Sequence, residues 1–281
     1  MKKIGVVVVT FNRLECLKEN IRALTHLQIP KNTEILFFII NNASTDGTTE
    51  WLMSLGDKRL RIITLGENTG GSGGFYTGVK ACTEAGMDYI WGMDDDAYPQ
   101  QNALVNIYEQ LNCLGEEACY WSNCNQDNEF SEPCKKVDSW MFVGFFIPVA
   151  IVKKIGFPRN DFFIFYDDLE YSDRIQKYGY SIYKVRDSVI IHKDAYFYKY
   201  KGYIGSRQIE LPKFSDWKMY YYIRNKLLRY SKTEGQFWEN VFVNIPKMIL
   251  KVMVLNPKQT KIVFRAFWHG LIRKKGKVVS P

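Results

Sequence analysis

Residues 66–99 read GENTGGSGGFYTGVKACTEAGMDYIWGMDDDAYP, and the rest of the chain is organised around this stretch. It holds a glycine-rich turn over Asn68 to Gly74, a helix-like segment, a short apolar strand from Tyr89 to Met93, and three consecutive carboxylates, Asp94, Asp95 and Asp96. Adjacent like charges raise the cost of ionising one another, so the triplet is easiest to keep ionised with a cation among its oxygens. Hard oxygen ligands suit Mg²⁺ or Mn²⁺, and Mg²⁺ is usually held by one or two carboxylates together with the phosphates of a substrate. Taken alone, the triplet is explained equally well as a solvated acidic turn after a strand. The surrounding sequence has to decide.

Working outward, Ile4 to Val9 is a continuous β-branched apolar run, which suits a strand buried on both faces. Leu14, Leu17, Ile21 and Leu24 then recur at helical spacing. Ile35 to Ile40 is a second buried strand, followed by a short helix around Thr49 to Leu55 and a third strand, Leu60 to Leu65. Strands alternating with helices predict βαβ units and a parallel sheet. In open sheets of this kind ligands bind beyond the carboxyl ends of the strands. The polar turns 10–13, 41–46 and 66–74 lie at those ends, as does the acidic triplet. A dinucleotide fingerprint is a poor fit, because G-G-S-G-G is not G-x-G-x-x-G and follows the third strand instead of the first. The glycines are expected to allow close backbone approach to a ligand, or unusual φ angles.

The 281 residues suggest one large α/β domain, or one domain with an appendage. Hydrophobic residues at 46% and charged residues at 24% are ordinary for a globular protein, while 15% aromatic content is high. The net charge of +8 is concentrated at one end: from Asn240 onward there is no Asp or Glu, against nine Lys and Arg. That asymmetry points to a polyanionic partner, membrane lipid or nucleic acid. Nothing beyond charge resembles a nucleic-acid-binding motif, so no nucleic-acid partner is expected. The six cysteines match no C-x₂-C zinc spacing and read as reduced thiols. The apolar run after Met1-Lys2-Lys3 is too short for a signal peptide, and no stretch approaches a membrane span. A cytoplasmic protein is expected, peripheral on the inner face of the membrane.

VVVVTFNR, IINNASTDGT, ENTGGSGGFYTG and WGMDDDAYP, in that order, closely resemble the nucleotide-binding half of family-2 glycosyltransferases with the GT-A fold. NTGGSGGF joined to MDDD is most similar to the bacterial galactofuranosyltransferase branch. The resemblance runs over about residues 4–230. Residues 231–281 beyond it read as a basic, amphipathic helical region, while the resemblance implies an α/β chain with a Rossmann-like nucleotide-binding half and a mixed central sheet, and a catalytic domain over 1–230. It also implies that Thr10, Phe11, Asn12, Arg13, Asn42, Asn68, Gly73, Gly74, Asp94 and Asp95 meet the nucleotide sugar. One departure stands out: where many relatives carry Asp-Asn or Asp-Gly after the second strand, this chain has Asn41-Asn42.

Residues 101–135 begin with a helix, Leu104 to Leu111, and then read as a polar surface excursion facing the acceptor. Ser139 to Pro148, SWMFVGFFIP, reads as a central strand. The resemblance sets it beside the donor sugar, with Gly144 permitting close approach and Trp140 in the donor and acceptor pocket. Further on, DDLEYSDR (167–174) opens a helix with acidic residues in its first turn, which the helix macrodipole alone can explain. The family pattern DD-x-E-[YW]-x-x-R is matched by Asp167, Asp168, Glu170, Tyr171 and Arg174, and implies that Asp168 is the general base. His192 ends the short apolar strand 189–192, and a lone histidine there is more often structural. In the resembled family a histidine at this place joins Asp94 and Asp96 as metal ligand, and the downstream SDWKMYYYIRNKLL (215–228) matches the family pattern Y-x-x-R-N, which sets Tyr222, Arg224 and Asn225 around the site. Asp167, Glu170 and Arg224 then belong to the donor and acceptor pocket.

The reading is an inverting glycosyltransferase using Mn²⁺ or Mg²⁺ and a nucleotide sugar. UDP-galactofuranose is the favoured donor, and the expected acceptor is a bacterial surface glycan that can be lipid-linked. The alternatives are a rhamnosyltransferase using dTDP-rhamnose, a nucleotide-sugar-binding module without turnover, and a membrane adaptor working through its tail. Two basic tail helices, separated near Asn256-Pro257 and carrying Trp and Phe, suit an anionic membrane surface or a lid packed on the catalytic domain.

Overall fold

The computed structural model describes residues 1–124, 130–192, 198–230 and 233–281. Packing divides the chain into two compact units, Met1–Asn160 with Asp168–Asp194, and Asp161–Asp167 with Ala195–Pro281. The second unit thus takes in the 216–229 helix, before the boundary at residue 230 that the resemblance implies.

The first unit runs β1 (Lys2–Thr10), α1 (Leu14–Thr25), β2 (Thr33–Asn41), α2 (Thr48–Ser54), β3 (Leu60–Thr64), α3 (Gly70–Glu84), β4 (Tyr89–Asp94) and β5 (Ala97–Pro99). It continues through α4 (Ala103–Leu114), β6 (Ala118–Cys124), β7 (Cys134–Val137), β8 (Phe145–Pro148), α5 (Val149–Ile155), α6 (Asp167–Lys177, whose first residue is counted with the second unit) and β9 (Ser181–His192). Among the described residues these strands form one nine-stranded sheet in the order β3-β2-β1-β4-β8-β6-β9-β5, with β7 also paired to β9. Strands β1 to β4 are parallel, β8 is antiparallel to β4 and β6, and β9 is parallel to β6. The sheet is therefore mixed.

The period of two along β1 sorts its side chains into two cores. Ile4, Val6 and Val8 face Leu17, Ile21 and Leu24 of α1 and Leu104, Ile107 and Leu111 of α4. Val7 and Val9 face Phe75, Val79 and Cys82 of α3, with Ile151 and Ile155 of α5 and Tyr171 and Ile175 of α6. Helices thus cover both faces, which is why the parallel strands are apolar throughout.

Three local expectations change. The glycine-rich segment is not a turn but the first turn of α3, and only Gly70 within it has a positive φ, at 73°. A Cβ on Gly74 or Gly78 would collide with Val9 or Val7, so these glycines let the helix press onto β1. The polar run after α4 contains β6, deep in the sheet, although residues 125–129 of that run lie outside the described residues. Its polarity hid it: Ser122 and Asn123 are buried, with the Trp91 indole donating to Ser122 Oγ at 3.1 Å and Asn123 Nδ2 donating to the Arg186 carbonyl at 3.0 Å. Finally, only Phe145–Pro148 of the 139–148 stretch is strand, because Gly144 turns the chain at φ 80°.

The second unit comprises the hairpin β10 (Lys199–Ile204) and β11 (Arg207–Pro212), then α7 (Asp216–Arg229), α8 (Glu234–Glu239), α9 (Ile245–Leu255) and α10 (Thr260–Leu271). A wide π turn, Asn240–Asn244, precedes Pro246, whose missing N–H removes an ordinary helical bond. Its core joins Phe163 and Leu211 to Tyr220, Ile223 and Leu227 of α7 and to Ile249, Val252, Val263 and Ala266 of the tail helices. The tail break expected near Asn256-Pro257 is present as a 3₁₀ turn, Pro257–Gln259.

Gly78→Ala is expected to destabilise the protein by about 1–3 kcal/mol through overpacking against Val7, although alanine is the better helix former by about 1 kcal/mol. Urea unfolding measures the difference, and a stabilised variant would show that the helix is not held by this close approach.

Candidate active site

The parallel pairing of β1 with β4 sets Val9 opposite Asp94, so the residues just beyond each strand meet. Thr10 Oγ1 donates to Asp95 Oδ2 at 2.7 Å, and Arg13 donates to Asp96 Oδ2 at 2.9 Å while its other terminal nitrogen lies 3.5 Å from Asp95 Oδ1. From α1, the buried Asn20 amide donates to the Ala97 carbonyl at 2.5 Å and so ties down the turn that carries the triplet. The antiparallel pairing of β5 with β9 places His192 opposite Ala97. Its Nε2 lies 3.2 Å from Asp96 Oδ1. One ligand atom from each of Asp94, Asp96 and His192 falls within 4.8 Å of the others.

The electrostatics of this cluster are unbalanced. Burial, reinforced by the charges of Asp96 and Asp95, pushes the Asp94 carboxyl up to about 8. Burial also raises Asp95, to about 6, against the Thr10 hydrogen bond and the Arg13 charge. Burial opposes ionisation of Asp96 too, but His192 and Arg13 outweigh it and hold that carboxyl below its ordinary value. The same pairing raises His192 against its own desolvation. Two carboxylates and an imidazole converging where a carboxyl cannot readily ionise are a donor set that fits a divalent cation.

The neighbouring loops are held by side chains the sequence had assigned to the ligand. Asn42 is buried: its Nδ2 donates to the Gly70 carbonyl at 2.9 Å, and its Oδ1 accepts from the Thr69 N–H at 2.9 Å. Asn68 Oδ1 accepts from the Gly70 N–H at 2.8 Å. Asn12, at φ 51°, accepts from the Thr45 N–H at 2.7 Å and donates its own N–H to Ser44 Oγ at 3.0 Å. The Phe11 N–H is bonded to Asp95. A Cβ on Gly73 would strike Thr69 and one on Gly74 would strike Val9, so both glycines serve the entry of α3. Asp46 had no expected role. It accepts from the Leu14 N–H at 3.0 Å and from Thr48 Oγ1 at 2.6 Å, which joins the starts of α1 and α2.

Asp168 stands at the start of α6, half-buried and outside the converging triad, with Oδ1 accepting from the Leu169 N–H at 2.7 Å. The rest of its motif anchors the helix. Glu170 pairs with Arg174 at 2.6 Å, Arg174 donates to the carbonyls of Ile155 and Phe157, and Tyr171 donates to the Gly156 carbonyl at 3.0 Å. Trp140 differs from its expected place in a pocket wall: it is 1% exposed and packs on Phe145 and Tyr171. Gly144 bridges the sheet, its N–H donating to the Gly92 carbonyl and its carbonyl accepting from the Ser122 N–H, and a Cβ there would meet Ile190 and Ser122.

Asp167 and Arg224 belong to the second unit. Asp167 is largely buried. Arg224 is fully buried and is also no pocket residue, since its guanidinium donates to the carbonyls of Phe162 and Gly276 and to Asn225 Oδ1. Asn225 Nδ2 donates to the carbonyls of Phe162, Ile164 and Phe165. Together they clamp a segment in which Phe163, Phe165 and Tyr166 adopt φ of 67–70°, a strained region for aromatic residues. That segment runs directly into Asp167 and Asp168.

Two outcomes are expected. Because the Asp94 carboxyl sits near 8, cation binding releases its proton, and Mn²⁺ affinity falls by up to about tenfold for each pH unit below 8. Asp94→Asn abolishes Mn²⁺ binding yet raises the melting temperature of the metal-free protein near pH 8 by about 2 °C or more. The sign follows from the raised pKa: the folded protein holds a proton that the unfolded chain releases above its ordinary value of 3.8, so ionisation costs stability as pH rises towards 8. Calorimetric titration and thermal melts across pH 6–9 check both. Separately, Asn225→Ala leaves three carbonyls without their donor and costs about 1–3 kcal/mol, read by urea unfolding against an Asn225→Asp control.

A comparison with curated proteins finds no match to this chain. The structure is similar to a mannosyltransferase, PcManGT from Pyrobaculum calidifontis in complex with GDP-Man and Mn²⁺, with a TM-score of 0.62 at 13% identity over 96% of this chain and 87% of that one. It is also similar to residues 1–349 of TarS from S. aureus in complex with UDP-GlcNAc, with a TM-score of 0.60 at 15% identity over 96% of this chain and 81% of the other. GalNAc-T7 with UDP, GalNAc and Mn²⁺ gives 0.58 at 11% identity over 68% and 43% of the two chains. These likenesses establish the GT-A architecture of the mixed sheet. The family model described as "Glycosyl transferase family 2" matches residues 5–166, more than half of the sequence and the whole span from β1 through the acidic triplet to the threshold of α6, and the chain therefore belongs to glycosyl transferase family 2.

Proposed function

We propose that the protein is an inverting, divalent-metal-dependent glycosyltransferase that moves galactofuranose from UDP-galactofuranose to a hydroxyl of a bacterial surface glycan. The observation that carries this reading is the convergence of Asp94, Asp96 and His192 within 4.8 Å at the ends of β4 and β9 in a family-2 chain. Galactofuranose rests on the likeness of NTGGSGGF and MDDD to that branch of the family. dTDP-rhamnose is the competing donor.

In this mechanism Asp94, Asp96 and His192 hold the cation, and an imidazole beside two carboxylates suits Mn²⁺ better than Mg²⁺, which prefers oxygen throughout. When bound, the ion supplies positive charge for the departing diphosphate. Arg13, whose own charge is strengthened by Asp95 and Asp96, fixes those carboxylates in place. Thr10, Phe11 and Asn12, with Asn42, Asn68 and the first turn of α3, shape the wall for the nucleotide. Asp168 takes the proton of the acceptor hydroxyl as the new bond forms at the anomeric carbon, while the bond from that carbon to the diphosphate oxygen breaks and the electron pair leaves with the nucleotide. Gly144 lets the sugar approach the sheet, and Asp167 and Glu170 flank the base. No carboxylic acid is needed for the leaving group, in contrast to a glycoside hydrolase.

The tail is proposed to lie on an anionic membrane. No helix among the described residues is long and apolar enough to cross one. Phe264, Trp268 and Ile272 recur every four residues along one stripe of α10 and its end and are 50–60% exposed, with Lys261 and Arg265 beside them. Exposed aromatic and aliphatic side chains flanked by cations are what an interfacial helix presents.

A panel of nucleotide sugars, assayed for nucleotide release with Mn²⁺ and after chelation, tests the proposal. Wild type is expected to turn over UDP-galactofuranose with inversion read by NMR, and Asp168→Asn to lose about 10²–10⁴-fold in kcat while retaining donor affinity. Turnover that survives chelation, or an Asp168→Asn variant of normal rate, would refute the assignment.

A further inference from the structure

The second unit contains a cavity of about 280 Å³ lined by β11, α7, the 240–244 turn and α9. Three ammonium groups surround it. Lys247 and Lys251 stand four residues apart on one face of α9, and Lys226 enters from α7. Among the described residues none of the three forms an ion pair. Glu210 on the rim is engaged by Lys199 at 2.8 Å and Lys201 at 3.8 Å. Glu239, which acts on Lys226 at longer range, accepts from Asn244 Nδ2 at 3.3 Å. Lys226 is partly buried, and burial pushes its ammonium below the ordinary lysine value. Like charges around one concavity repel, and no acidic residue follows Glu239 to offset them. An anion relieves that repulsion. Lysine serves phosphate as a point charge. The volume lies just below the usual range of small-molecule pockets, about 300–1,000 Å³, enough for a phosphate or diphosphate group. Leu250, Met253 and Val254 lie exposed on the adjoining face of α9, at 46–49%. An ammonium pair next to an apolar stripe on one helix matches the two ends of an amphiphile.

We propose that this cavity binds the phosphate group of an anionic amphiphile, with the phosphate on Lys226, Lys247 and Lys251 and the apolar part along α9. The same phosphate chemistry can come from a lipid headgroup or from a soluble diphosphate, and the test separates them. The full-length protein is compared with Lys247→Glu/Lys251→Glu and with Lys258→Glu/Lys274→Glu, a tail pair of equal charge change that does not line the cavity. One arm floats each protein on phosphatidylcholine vesicles with and without phosphatidic acid, and the other titrates inorganic diphosphate by calorimetry. Diffuse attraction to an anionic surface weakens equally in both pairs. A seated phosphate instead makes the cavity pair lose about tenfold or more in affinity for phosphatidic acid vesicles beyond whatever the control pair loses. Loss of diphosphate binding alone, with vesicle binding kept, assigns the site to a soluble phosphate and overturns the lipid source. Equal losses in the two pairs, or no binding of either probe by wild type, overturn the site itself. Donor turnover on a soluble acceptor is measured on all three proteins, so a failure here is distinguishable from failure of the transferase reading.

Discussion

Mutual repulsion among three consecutive carboxylates at the end of a buried strand is the constraint around which the first unit is built. Two like charges about 4 Å apart at an effective dielectric near 20 repel by about 4 kcal/mol, a large part of the ~5–15 kcal/mol that holds a domain together. The chain meets this with groups that only the sheet can deliver. Thr10 and Arg13 arrive because β1 runs parallel to β4, and His192 arrives because β9 runs antiparallel to β5. Asp96 is thereby ionised, while Asp94 is left with a carboxyl that gains from a cation. One residue of slip in either pairing would turn these side chains to the opposite face.

Close approach is the second requirement. Helix α3 has to begin directly over the end of β1, where the triplet's neighbours lie, and a methyl group at Gly74 or Gly78 would strike Val9 or Val7. A sequence this rich in glycine is a poor helix former in isolation, by about 1 kcal/mol per glycine relative to alanine. Tertiary packing overrides that preference, since Phe75, Val79 and Cys82 bury their side chains against the sheet.

Buried polar side chains set the loops. Asn20 holds the triplet turn, Asn42 joins the β2 loop to the start of α3, and Arg224 with Asn225 clamps the strained 162–166 segment. Each is shut away from water and bonded to backbone carbonyls, an arrangement that leaves little tolerance for substitution. These residues carry amide or guanidinium groups of the sort that also bind ligands. Their chemistry alone cannot tell a loop clamp from a binding group.

By itself the sequence determined the alternation of apolar strands and amphipathic helices, the position of the polar turns at strand ends, the acidic start of α6 and the basic, acid-free tail. These are local patterns of period and charge, and local patterns survive without a partner. The tertiary structure decided what depends on pairing at a distance. It buried β6, whose serine and asparagine disguise it until Trp91 and the Arg186 carbonyl supply their hydrogen-bond partners. It made the glycine segment a helix because β1 lies beneath it, and it turned Trp140, Asn42 and Arg224 inward to hold the framework. It brought His192 to Asp96, 96 positions away in the chain, because hydrogen bonding between two strands sets that distance and no side-chain pattern along one strand encodes which neighbour it will choose.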